Sequence, residues 1–263
     1  MSDLNFSCTQ CGKCCHNLRL PLTCQEAVAW LQRGGNVELL CEAVPWVVEP
    51  AASDALAMHK RQRSFPAWSG ELPIRVIVVL AATFKGACPH LGSDMRCGIY
   101  DSRPHVCRIY PAEVNPFLSL SPSHKQCPPE AWTSPTPFVR DNQVVDAQTQ
   151  LHISLLRHGD QLDIAVKAWA CEALDIQSAS LSNEGYMAHC PSSEALLSVL
   201  QQTPSIADGR SSRSQWSMVT NQAATFDALC LAGAKSMYAS ASADGPSRYL
   251  GFRPDAPLQE QLA

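Results

Sequence analysis

Cys8, Cys11, Cys14 and Cys15 crowd four thiols into eight residues near the start of the chain, spaced Cys-x2-Cys-x2-Cys-Cys. Two-residue gaps let a tight turn aim successive thiolates at one metal centre. The doubled end, Cys14-Cys15, is harder to place on one ion, because neighbouring side chains diverge. It calls either for two metals or for one ligand and one spare thiol. Four thiols this close, without a ligand, would invite oxidation. The segment therefore reads as a metal site.

The rest of the chain supports that reading mainly by what it excludes. At 263 residues, 46% of them hydrophobic, it can bury a substantial core as one large domain or two small ones. A net charge of -4 gives no global basic field for nucleic acid or an anionic membrane surface. Met1-Ser2-Asp3-Leu4 lacks the basic-then-apolar order of a secretory leader. The longest apolar run, Val76 to Ala82, is far too short to span a bilayer. The expectation is a cytoplasmic protein. In a reducing compartment, thirteen cysteines point to metal rather than to disulfides.

Local signals divide the chain by texture. Thr23-Cys24-Gln25-Glu26 is a capping box that opens a helix carrying Ala27, Val28, Trp30 and Leu31 and stopping at Gly34-Gly35. Leu39 to Val48 is apolar but irregular, broken by Pro45 and Pro50. Ser53 to Arg63 predicts a short helix with a basic, solvated end. Ile74 to Thr83 is rich in β-branched residues and predicts a buried strand. Beyond Pro137, helices are expected over Val144 to Arg157, Leu162 to Leu174, Ser193 to Gln202 and Phe226 to Met237. Gly159-Asp160 separates the first two, Thr203 to Ser214 is a polar linker, and Tyr249 to Pro254 is a short edge strand. The expected fold is α+β. Residues 1–130 form a loop-rich, cysteine-cluster metal-binding domain with few short strands, and 131–263 a mostly helical region of unknown role.

The strand at 74–83 delivers the chain to a second cysteine block, Cys88, Cys97, Cys107 and Cys127, in a stretch punctuated by proline and glycine. Loops this irregular need a staple, and metal would supply it. The order Cys88-Pro-His-Leu, Cys97-Gly-Ile-Tyr, Arg103-Pro104 and Cys107-Arg108-Ile-Tyr-Pro111, after the N-terminal cluster, resembles the CxxCxxCC (YkgJ-like) cysteine-cluster family. Those proteins are described as zinc- or iron-chelating and are sometimes labelled iron–sulfur proteins. The resemblance implies chelation through Cys8, Cys11, Cys14, Cys15, Cys88, Cys97, Cys107 and Cys127. The 72 residues between Cys15 and Cys88 are more than the family places there, which marks an insertion. The second half of the chain lies outside the resemblance.

Several arrangements of these thiols stay open. Eight could form two four-cysteine sites, or one cluster plus one ion. Cys8, Cys11 and Cys14 could instead join one remote cysteine as in a cubane cluster, whose fourth ligand is often followed by proline. Cys88, Cys127 and Cys190 all precede proline. Arg103 and Arg108 flank Cys107 as cofactor-binding candidates, donating to sulfur or offsetting thiolate charge; the alternative is pairing with Asp101 and Glu113. Tyr100 and Tyr110 read as packing residues with tethered hydroxyls. His16 and His90 neighbour the cysteines but read as polar loop residues, and His152 and His158 are poorly spaced for one ion. Cys24, Cys41, Cys171, Cys190 and Cys230 read as small hydrophobes.

Thiolates suit zinc and iron alike. No phosphate loop, nucleophile elbow or zinc-protease helix is present. The first functional reading is a metal-binding protein chelating zinc or iron, with metal ions and an unidentified protein or redox partner as its partners. The second is an iron–sulfur oxidoreductase or iron-dependent modifying enzyme, motivated by the doubled Cys14-Cys15. A zinc-knuckle nucleic-acid module is disfavoured by the charge.

Overall fold

The computed structural model describes residues 3–202, 214–239 and 246–252. In chain order the elements are β1 (Leu4–Asn5), β2 (Arg19–Leu22), α1 (Cys24–Gln32), β3 (Asn36–Pro45), α2 (Ala55–Arg61), β4 (Ser64–Ser69), β5 (Leu72–Thr83), α3 (His105–Ile109), α4 (Pro129–Trp132), β6 (Pro137–Arg140) and β7 (Gln143–Val144). There follow α5 (Ala147–Leu162), α6 (Ile164–Ala173), β8 (Ser178–Leu181), β9 (Gly185–His189), α7 (Ser193–Gln201), β10 (Ser217–Thr220), α8 (Ala223–Leu231), β11 (Ser236–Tyr238) and β12 (Ser247–Gly251). Eight helices and twelve strands among the described residues make the protein α+β.

Contacts divide the chain into two compact units that interleave in sequence. The first comprises Met1–Asn36 and Ala81–Asp160, the second Val37–Leu80 and Gln161–Ala263. The expected division at residue 130 falls inside the first unit. Most of the insertion between the two cysteine blocks belongs to the second. A single cut drawn from the change of texture near Pro137 cannot express a unit assembled from two separated stretches.

In the first unit, α1 begins as its sequence dictates. The Thr23 hydroxyl accepts from the Glu26 amide at 3.2 Å, and the Glu26 carboxylate accepts from the Thr23 amide at 2.9 Å. The helix buries Cys24, Ala27, Trp30 and Leu31 and ends before Gly34, whose φ is +81°. β1, β6 and β7 form a small antiparallel sheet. Beside it lies a core of Phe6, Ile109, Ala112, Ala131, Phe138, Val139, Ile153 and Leu156. Phe6 stacks at a tilt on Trp132 and Phe138, with ring centroids 4.9 and 5.2 Å apart. This core anchors the cysteine segments. Phe6 precedes Cys8, Ile109 follows Cys107, and Ala131 follows Cys127. The stretch from Cys88 to Cys127 is mostly irregular, with α3 and one-turn 3-10 segments at Tyr100–Ser102 and Pro122–His124.

The second unit is built on a sheet with the order β11-β10-β8-β3-β5. β10 runs parallel to β11 and β8, and β3 parallel to β8. β4 pairs antiparallel with β5, β9 with β3, and β12 with β9. β3 was expected to be irregular. It is a strand with Val37 to Cys41 all buried, the near-continuous apolar run of a strand covered on both faces. Pro45 ends it rather than breaking it.

The expected helices after Pro137 are present, with two corrections. α5 runs through Gly159-Asp160 and breaks at Asp163 instead. Phe226 to Met237 is not one helix: α8 stops at Leu231, Gly233 turns the chain with φ +75°, and β11 follows. Strands β8 to β12 therefore share the C-terminal half with the helices. Tyr249 to Gly251 lie in β12 as the expected short strand. Thr203 to Arg213, most of the polar linker, lies outside the described residues, as do Arg253 and Pro254. Among the described residues no helix is long and apolar enough to cross a membrane.

Candidate metal centre

The N-terminal loop is shaped by backbone that only certain residues tolerate. Gln10 and Gly12 take φ of +54° and +68°. Gly12 also lies so close to the 91–97 loop that a Cβ would meet the Met95 carbonyl oxygen at 2.6 Å. The Cys15 amide then donates to the Gly12 carbonyl at 2.9 Å, closing a turn around Cys14. Gln10 donates its amide to Cys8 Sγ at 3.4 Å. The His90 amide donates to the Cys88 sulfur in the same way. At Cys88 this amide favours the charged thiolate that a metal requires, against the larger opposing effect of burial.

The second block is brought to the first by short backbone pairings. His16 and Ala87 form an antiparallel bridge. The Cys88 amide donates to the Cys15 carbonyl at 2.8 Å, and Asn17 to Gly86 at 2.8 Å. A second bridge, Leu91 to Cys97, closes the loop that carries Cys97. Cys107 lies on α3, whose start is set by Pro104. Cys127 comes from a third direction. Ser7 donates to the Ala131 carbonyl at 2.9 Å, tying the strand before Cys8 to the helix after Cys127.

All eight cysteines expected as ligands line one cavity of about 260 Å³ in the first unit. Cys8 is exposed and the other seven are partly buried. Among the described residues, no group of three or more His, Cys, Asp or Glu side chains is placed closely enough to hold a metal ion. The remaining five cysteines stand apart from the cavity. Cys24, Cys41 and Cys171 are buried and Cys230 is exposed. Cys41 and Cys171 meet as a hydrogen-bonded pair of thiols that no sequence spacing indicates. Cys190 accepts from Arg248 at 3.3 Å.

Four of these thiols, Cys15, Cys88, Cys107 and Cys127, are held toward the neutral form. Burial pushes Cys107 up to about 12, with Cys15, Cys88 and Cys97 adding to it and Arg103 opposing. Burial likewise raises Cys88 and Cys127. Cys15 is raised first by the hydrogen bond it donates to Cys14, then by burial. The same bond holds Cys14 below the usual thiol range against the opposing effect of burial. A cation at the centre of these sulfurs would reverse the balance, since thiolate is the ligating form.

The two arginines part company. Arg103 lines the cavity, lies over the Tyr100 ring at 3.7 Å and lowers both Cys15 and Cys107. Its Nε is buried with no hydrogen-bond partner among the described residues. Arg108 is instead spent on backbone, donating to the Arg103 carbonyl at 3.0 Å and to the Asp101 carbonyl. Glu113, the alternative partner, pairs with Lys125 at 2.5 Å. His90 lines the cavity, edge-on to Trp30 with centroids 4.9 Å apart. Tyr110 is more than packing. Its hydroxyl accepts the Gln126 amide at 2.8 Å and donates to the Cys127 sulfur. Burial raises that phenol to about 12. Nothing in the sequence pairs Tyr110 with Cys127. His105 and His152, a pairing that no sequence spacing indicates, share a hydrogen bond of 2.8 Å, and the His105 amide donates to Glu26 at 2.6 Å.

The donor set suits a soft metal. Eight thiols, amides aimed at sulfur and an orphaned guanidinium N–H beside them form an electron-rich, negatively charged site once deprotonated. No curated protein and no solved structure matches the chain. Residues 7–128, which carry every one of these cysteines, do match the family model CxxCxxCC, described as a "putative zinc- or iron-chelating domain".

Proposed function

We propose that the first unit chelates zinc or iron through the thiolates of Cys8, Cys11, Cys14, Cys15, Cys88, Cys97, Cys107 and Cys127. The observation that carries this is their convergence: three separated stretches of chain deliver all eight to one cavity. Metal bound there supplies the cross-link that the irregular stretch from Cys88 to Cys127 lacks. The residues around the sulfurs do the rest. Amides of Gln10 and His90 donate to the sulfurs of Cys8 and Cys88, Tyr110 donates to Cys127, and Arg103 offsets charge near Cys15 and Cys107. The thirteen thiols, all free, suit a reducing compartment, and we place the protein in the cytoplasm. The test is elemental analysis before and after reconstitution with Zn2+ or Fe2+. Stoichiometric uptake supports chelation, and a folded protein that takes up neither metal rejects it.

A second reading is an iron–sulfur centre that transfers electrons to a protein partner or activates a substrate. One observation favours it: Arg103 Nε is buried in the cavity wall with no acceptor among the described residues, and sulfide in a cluster would provide one. Absorbance between about 350 and 500 nm, with acid-labile sulfide, in protein prepared without oxygen supports this reading. A colourless protein carrying only zinc rejects it.

A further inference from the structure

We infer that the cavity holds two four-thiolate centres that divide the adjacent Cys14 and Cys15 between them: Cys8, Cys11, Cys14 and Cys127 form one, and Cys15, Cys88, Cys97 and Cys107 the other. The inference rests on the reading of the cavity as a metal centre and adds its stoichiometry and ligand sets.

Backbone register makes the first cut. The bridge of His16 with Ala87 places Cys15 directly opposite Cys88, and directly opposed residues of an antiparallel pair bring their Cβ atoms to about 5 Å on one face. The bridge of Leu91 with Cys97 folds Cys97 back toward the same strand end. The bond from Ser7 to Ala131 ties the segment before Cys8 to the helix that follows Cys127. The Tyr110 hydroxyl donates to Cys127 and lies in the field of Cys14, marking where those two meet.

The electrostatic neighbours divide the same way. Cys127 feels Cys8 and Cys11, and Cys14 feels Cys8 and Cys127. Cys88 feels Cys15 and Cys97, and Cys107 feels Cys15, Cys88 and Cys97. Between the sets run the Cys14–Cys15 hydrogen bond, the largest influence on both of those thiols, the Cys14–Cys15 repulsion, and the Cys14–Cys107 repulsion, the weakest influence on Cys14. Four thiolates complete tetrahedral coordination, so each set is full. The sets also differ in access. The first includes exposed Cys8 and takes three ligands from one short loop. The second joins three segments beside Arg103. The first centre therefore gives up its metal sooner.

The full-length chain reconstituted with Zn2+ tests this by metal count. Two zinc ions per chain are expected, falling to one in Cys11→Ser and to one in Cys97→Ser. One zinc in the wild type, or loss of both in either soluble variant, overturns the partition while leaving chelation standing. No zinc uptake at all overturns both. A second measurement needs no variant: limiting chelator with thiol alkylation, read by peptide mass spectrometry. Cys8, Cys11, Cys14 and Cys127 are expected to label together, before the other four. Labelling spread evenly over both sets overturns the partition.

Discussion

Replacing Gly12 by alanine tests whether the N-terminal loop is held in place by its packing against the 91–97 loop. Two costs add. Alanine at φ +68° is forced into the left-handed region that L-residues disfavour by roughly 1–2 kcal/mol. The new Cβ also meets the Met95 carbonyl oxygen at 2.6 Å, Leu91 Cδ1 at 3.0 Å and Met95 Cε at 3.1 Å. The side-chain atoms can move aside. The carbonyl cannot do so freely, because its turn is pinned by Met95 N–H to Gly92 O at 2.9 Å and Gly92 N–H to Arg96 O at 2.8 Å. Forcing such an overpacked contact costs about 1–3 kcal/mol. The metal-free loop relieves both costs by relaxing, whereas the closed site must bear them. The expected loss is thus about 2–5 kcal/mol of binding, or roughly 30- to several-thousand-fold in Zn2+ affinity. Gly86→Ala is the control: its φ is +75°, with nothing within 4 Å of a Cβ, so it bears the strain alone. Affinities come from competition with a chromophoric chelator. If Gly12→Ala loses no more than Gly86→Ala, the packing argument is wrong.

Three further outcomes follow from the same geometry. Tyr110→Phe removes the donor to Cys127, and Zn2+ affinity should fall by about 1 kcal/mol, roughly fivefold, with circular dichroism unchanged; an unaltered affinity counts against a role for the hydroxyl. Glu26→Gln disrupts the carboxylate that serves both the Thr23 amide and, at 2.6 Å, the His105 amide. It should cost about 1–3 kcal/mol in thermal unfolding, more than the roughly 1 kcal/mol of Thr23→Ala, and the reverse order would refute the tether to α3. Because Cys15, Cys88, Cys107 and Cys127 are raised, the metal-free fold holds their protons more tightly than the unfolded chain. The stability they lend is complete below the ordinary thiol range and declines as pH rises through it toward about 12. Metal binding at pH 7 must expel those protons, so affinity rises with pH, and calorimetry in buffers of different ionisation enthalpy should read close to four protons per zinc. Binding without proton release would contradict thiolate ligation.

What could be read from the sequence was local. The Thr23–Glu26 box is a four-residue signal and opened α1 as written. The helix expected from Ser193 became α7, and the β-branched run at Ile74 to Thr83 became β5. The second unit's sheet was not legible, because its pairings join residues far apart. β3 meets β8 across most of the chain, and β10 finds β11 only after Gly233 turns back what looks like a single helix. The eight cysteines were legible as candidates by type and spacing. Their arrangement was not: Cys127 reaches the N-terminal loop through a contact between Ser7 and Ala131. The two arginines differed only in where their guanidinium groups turned. Arg108 folds back onto carbonyls, while Arg103 faces the cavity.

The most direct test of the account is the metal content of the full chain purified without oxygen from unsupplemented cells, alongside the Cys11→Ser/Cys97→Ser double variant. The account predicts zinc or iron in stoichiometric amounts in the wild type and its loss in the double variant. A wild-type protein that is folded and free of both metals, or a double variant that keeps its full complement, would contradict it.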